Sequence, residues 1–191
     1  GDRGAYYEAI TAGKSVIALD LKSPAGRDRL LALLDGADVL VESFRPGVMA
    51  RLGLAPALLR ERNPGLVCIS LSGYGRTGPL RDAAGHDNNY LGRAGMLAGN
   101  GPSPDVPTLV QPPVADCVGS MFALSAVLGA LLARHRDGRG CDIDLALADV
   151  VMPLQTFQLA DLAVTGRSQR RGGEWLNGGR ACYRIYRTQD G

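Results

Sequence analysis

Three nearly unbroken apolar runs, at 15–21, 38–42 and 66–71, mark the first third of the chain. Strands buried on both faces lose polar alternation, so each run predicts a strand inside a parallel sheet. Between the first two, Leu30, Leu31, Leu33 and Leu34 recur at helical spacing, with Ser23 placed to cap, Pro24 at the first helical position and Gly36 as a stop. Two shorter helices are predicted at 48–52 and 56–62, closed by Asn63-Pro64. Strands and helices alternating at these lengths argue a parallel α/β sheet with right-handed crossovers. Beyond residue 80 the rhythm changes. A Gly- and Pro-rich segment at 99–113 precedes a long apolar helix predicted over 115–136, which Asp137 and Gly138 close. Residues 141–145 alternate like a strand, 146–164 read as one further helix, and 170–180, with four glycines, as a loop.

Composition adds limits. Hydrophobic residues make up 46% and charged residues 21%, ordinary proportions for a soluble globular domain. A net charge of +2 gives no case for nucleic acid or an anionic membrane surface as partner. The longest apolar stretch, 114–133, is broken by Asp116 and holds Gly119, Ser120 and Ser125, which favours a buried core helix over a membrane span. Cys68, Cys117, Cys141 and Cys182 are scattered with no CxxC pair, so they read as reduced, mostly packed thiols in a cytoplasmic setting. The chain opens at Gly1 without methionine and stops at a turn signal at Gly191, so it reads as a fragment of a longer protein.

The chemistry concentrates in two places. His86 lies in Gly85-His86-Asp87-Asn88-Asn89-Tyr90, and Asp116 stands at the mouth of the long helix. Histidine titrates near neutrality, and a carboxylate opposite it would complete a pair able to take and return protons. The plainer alternative is a loop histidine and a helix-capping aspartate. The second place is the carboxyl edge of the sheet, where open parallel sheets bind ligands. Strand ends there deliver Lys22 and Arg45, with Arg51 a turn or two further on. Such cations suit phosphate groups, although solvated surface cations would look the same.

Several other schemes fall away. Gly73-Tyr74-Gly75-Arg76-Thr77-Gly78 matches G-x-G-x-x-G after a strand, but Pro79 follows, no amphipathic helix opens, and no acidic residue comes about twenty positions later. These glycines are expected to shape a tight loop over another ligand. There is no G-x-S-x-G elbow or H-E-x-x-H, and two histidines without clustered cysteines give no zinc set. His135 reads as a cation at a helix carboxyl end.

Asp20-Leu21-Lys22, Glu42-Ser43-Phe44-Arg45-Pro46-Gly47, the Ser-Gly-Tyr-Gly core at 72–75, Gly85–Tyr90, Pro113–Gly119 and Asp142-Ile143-Asp144 together resemble the family III CoA-transferases. The Gly-His-Asp-x-Asn-Tyr segment is most similar to the α-methylacyl-CoA racemase branch. The resemblance runs over nearly the whole chain but covers only the amino-terminal part of such proteins. It implies that residues 1–191 form a large, incomplete CoA-binding α/β domain with a Rossmann-like parallel sheet and flanking helices, its start and a small second domain lying outside. It also implies an interlocked homodimer in the full-length protein.

For the site, the resemblance implies His86 and Asp116 on opposite faces of the α-carbon of an acyl-CoA thioester. Leu21, Lys22, Arg45 and Arg51 would hold coenzyme A, and Gly85, the Asp87 backbone and Tyr90 would line the thioester region. Racemisation needs a base on each face, with no metal and no tightly bound cofactor, since coenzyme A arrives as part of the substrate. Burial would raise the Asp116 pKa, and backbone N–H groups opening the long helix would steady the enolate. In the transferase branch the residue matching Asp116 is instead a nucleophile that forms an anhydride and passes CoA to a second carboxylate. Val114-Ala115-Asp116 looks at least as much like that branch, and a non-catalytic CoA-binding fragment is the third reading. The acyl group is unreadable. Its pocket is expected from 92–107, from a part beyond residue 191, or from a partner subunit.

Overall fold

A computed structural model describes residues 4–102 and 106–190. Thus both chain ends, on which the fragment reading drew, and residues 103–105 of the expected acyl segment lie outside the described residues.

Three parallel strands form the sheet in the order β1 (Val39–Glu42), β2 (Val67–Ser72), β3 (Asp142–Ala146). The middle strand is buried on both faces, and its side chains divide by period two. Cys68 joins Leu34, Met49, Leu54 and Leu59 in one core cluster, and so faces α2 (Pro24–Leu34), α3 (Val48–Arg51) and α4 (Pro56–Arg62). Ile69 joins Ala123, Leu145 and Val150, and so faces α6 (Val114–Asp137). Helices therefore cover both faces of the middle strand, as its apolar run predicted, whereas Val41 of β1 is exposed. Ser23 caps α2 by accepting from the Gly26 N–H at 3.1 Å, with Pro24 opening the helix as expected.

The run at 15–21 is a correction. It is not a strand but an unpaired segment ahead of α2. Leu21 packs against the first core cluster, whereas Val16 and Ile17 are 52% and 59% exposed. An apolar run expresses a demand for burial, but a strand also needs a ladder, and no described strand pairs with this one. The expected helix over 146–164 is likewise divided. Two 3-10 turns, Asp149–Val151 and Pro153–Gln155, precede α7 (Thr156–Thr165). Pro153 lacks an N–H and its ring obstructs the preceding turn, so one continuous helix cannot form there.

The long helix differs from expectation in burial rather than extent. Only Ala115, Gly119 and Ala123, spaced four apart, are buried. Gly119 permits the close contact, because a β-carbon there would lie 2.3 Å from a Leu147 methyl. The opposite face, carrying Met121, Leu124, Leu128 and Leu132, is exposed. By length and composition alone α6 could cross a membrane, yet one face is seated on this sheet. Its carboxyl end is tied down by Arg134, which donates to Asp38 at 2.7 Å and to the Gly65 carbonyl at 3.0 Å. His135 lies in that last turn, as predicted. A short helix that the sequence pattern did not mark, α1 (Ala5–Thr11), buries none of its residues.

Candidate active site

A cleft of about 540 Å³ opens where the three strands end. Arg45 follows β1, Gly73 follows β2, Leu147 follows β3, and all three line it. This is the carboxyl edge at which the sheet rule placed a ligand. The far wall is the segment carrying Gly85, His86 and Tyr90.

His86 is the N-cap of α5 (Asp87–Arg93). Its own N–H donates to Asn89 Oδ1 at 2.9 Å, and its carbonyl accepts from the Asn89 N–H at 2.8 Å. These two bonds fix the backbone at His86 and leave the imidazole exposed beside the cleft. Asn89 is a site residue missed in the sequence. Its position three residues after the cap was the available signal.

Tyr90 is 6% exposed and stacks edge-on against Tyr74 with ring centroids 5.3 Å apart. Its hydroxyl donates to the Gly85 carbonyl at 2.6 Å. Burial, then the neighbouring Tyr74, Asp116 and Asp87, push the phenol up from its ordinary value, so it remains a donor. The ring is accommodated by two glycines. A β-carbon at Gly73 would lie 2.6 Å from the Tyr90 hydroxyl, and one at Gly85 would lie 2.7 Å from the ring. Gly73 therefore serves aromatic packing, while Gly75 and Gly78 have φ of 80° and 82°, which only glycine adopts readily. No helix follows this loop before α5, in keeping with rejection of the dinucleotide motif.

Asp116 is the third residue of α6, not its cap; Pro113 occupies the cap position. Partial burial and the Asp87 carboxylate push its pKa above the usual carboxylate value, and His86 pulls the other way. His86, Asp87 and Asp116 thus form one electrostatic group bridging the starts of two helices. The Asp116 N–H donates to Asp87 Oδ1 at 3.1 Å. Of the helix-start N–H groups expected to steady an enolate, that of Asp116 is therefore already engaged.

The remaining predicted residues are placed apart from this group. Arg51 leans over the 45–47 turn, its guanidinium 3.2 Å from where a Gly47 β-carbon would be. Lys22 sits in the turn before α2, its N–H bonded to Asp20 Oδ1 at 3.0 Å. Neither lines the cleft that holds Arg45 and His86. Leu21 belongs to the core by its side chain, leaving only backbone for any ligand. The thiols divide: Cys68 is buried, Cys141 half-buried, and Cys117 and Cys182 are exposed rather than packed.

The profile described as CoA-transferase family III matches residues 1–191. The chain belongs to that family. Among relatives of this family III chain is the human (Homo sapiens) alpha-methylacyl-CoA racemase, 39% identical over 192 residues, covering 98% of this chain and 50% of the relative. The succinate–glutarate CoA-transferase of Agrobacterium fabrum is 35% identical, covering 98% of this chain and 46% of the relative. The crystal structure of a CAIB/BAIF family protein from Brucella suis superposes with a TM-score of 0.80 at 31% identity, covering 83% of this chain and 42% of that one. The family III chain spans half or less of the length of the curated relatives it matches.

Proposed function

We propose that the protein inverts the α-carbon of a 2-methylacyl-CoA thioester by two-base proton transfer. The observation that carries this reading is the electrostatic grouping of Asp116, a carboxyl of raised pKa, with His86, which lines a strand-end cleft together with Arg45. Neutral His86 takes the α-proton, and the electron pair of the broken C–H bond passes to the thioester oxygen as an enolate. Protonated Asp116 then delivers its proton to the opposite face, leaving an imidazolium and a carboxylate that water resets. The reverse epimer uses the same pair with roles exchanged. With the Asp116 N–H engaged, the free N–H groups opening α5, Asp87 first, are the donors for the enolate oxygen. Arg45, with Arg51 and Lys22, meets the CoA phosphates, Leu21 offers backbone only, and no resident cofactor enters the reaction. A cytoplasmic homodimer is part of the same proposal.

CoA-transferase relatives at 35% identity support a second reading, in which Asp116 attacks the thioester, releases CoA and forms an anhydride. Incubation of a 2-methylacyl-CoA in deuterium oxide without an acceptor acid separates the two. Exchange at the α-position without CoA transfer is the expected result. Absence of exchange with hydroxylamine trapping an acyl group at Asp116 would sink the racemase reading. If CoA raises the melting temperature while both assays stay blank, the protein only binds CoA. His86→Ala is expected to abolish exchange with CoA affinity nearly intact, whereas Arg45→Ala mainly weakens CoA binding. Equal loss of CoA affinity in both would argue against proton transfer by His86.

A further inference from the structure

We propose that Asp87 is a positioning residue for Asp116: its side chain caps the first turn of α6 from another helix and sets the charge environment in which Asp116 exchanges its proton. The assignment goes beyond the racemase reading and deepens it, resting on that reading only for the part Asp116 plays.

The first four N–H groups of a helix have no partner within it. In α6 the cap position is Pro113, which has no side-chain acceptor, and no side-chain cap bond forms there. The Asp116 N–H is satisfied instead by Asp87 Oδ1, 29 residues earlier in the chain, at 3.1 Å. Asp87 is itself in the first turn of α5, where the helix dipole favours a negative charge. One carboxylate therefore serves two helix starts and joins the segment of His86 to that of Asp116.

A neutral acceptor would cap equally well, so the carboxylate brings something more. Beside a second carboxylate, the ionised form of Asp116 is disfavoured. Among the described residues, the charged and titratable groups facing Asp116 are His86, Asp87 and Tyr90, all in or at the start of α5. Of these only His86 favours ionisation. Asp87 thereby keeps protonated acid available at Asp116 without touching the substrate's reacting carbon through its side chain.

The test is a carbon-13 NMR titration of the Asp116 carboxyl in the intact protein, assigned with Asp116→Asn and repeated in Asp87→Asn and Asp87→Glu. Asparagine retains an Oδ1 acceptor and removes the charge. It is expected to lower the Asp116 midpoint with little change in melting temperature, and to move the acid limb of the exchange–pH profile to lower pH. Glutamate keeps the charge and is expected to keep the midpoint raised. Coincident midpoints in wild type and Asp87→Asn would overturn the proposal, as would an Asp87→Glu midpoint that falls with that of Asp87→Asn, since the charge would then not be what sets it. Because the titration needs no turnover, a shifted midpoint with blank exchange refutes the racemase reading and leaves the Asp87 assignment standing.

Discussion

Tyr90, in the wall of the cleft, is held there by what surrounds it. Its ring fits only because Gly73 and Gly85 carry no side chain, and its hydroxyl holds the carbonyl of the residue immediately before His86. Gly85→Ala would put a β-carbon 2.7 Å from a ring that is nearly fully buried and 3.1 Å from the Tyr74 hydroxyl. Overpacking of this kind costs about 1–3 kcal/mol. Denaturant unfolding should report that loss, and exchange activity should fall further than CoA affinity, because the displaced element is the one presenting His86. Wild-type stability and rate for Gly85→Ala would refute the packing role. The sequence marks Gly85, His86 and Tyr90 as a group but assigns Gly73 only to a tight loop over a ligand, since the aromatic ring it makes room for comes from another segment.

Among elements, the loop at 73–79 is held to the sheet by Arg76. Its backbone N–H donates to Asp144 Oδ2 at 2.9 Å, and its guanidinium meets Asp142 at 3.0 Å and Asp144 at 3.5 Å. Asp142 and Asp144 alternate along β3, so without Arg76 two carboxylates on one face of a strand repel each other. Arg76→Met is expected to lower stability by about 1–2 kcal/mol, less at high salt, as measured by thermal melts across ionic strength. A salt-independent loss would show that the methylene stem rather than the charge matters. Elements bounded by their own punctuation, such as α2 with Ser23 and Pro24, were legible in the sequence. Those set by a neighbour were not: the run at 15–21 lacks a strand to pair with, and α6 takes its cap from Asp87, which nothing local to Pro113 announces. The same distinction divides the site. Residue types at His86, Arg45 and Asp116 could be read directly, whereas the bond joining Asp87 to Asp116 exists only once two helix starts meet.

At the scale of the molecule, apolar surface is unevenly covered. Met121, Leu128 and Leu132 of α6 are 64%, 57% and 63% exposed, and Phe157 and Val164 of α7 are 58% and 86% exposed. Contiguous apolar patches beyond a few hundred Å² are rare on soluble monomers, and when uncovered they drive association. These 191 residues on their own are therefore expected to bind a hydrophobic dye and to associate as concentration rises. The cleft at the strand ends should be unaffected, because α6 contributes to the site through Asp116 in its first turn, where Ala115 is buried, while Met121 and Leu128 lie further along. Met121→Lys with Leu128→Glu tests this, since both positions are on the exposed face and away from Asp116. The double variant should lose dye binding and sediment as a smaller species, with the Asp116 titration midpoint held. A wild-type chain that stays monomeric and dye-free at high concentration would mean that the apolar face of α6 is covered within the chain itself.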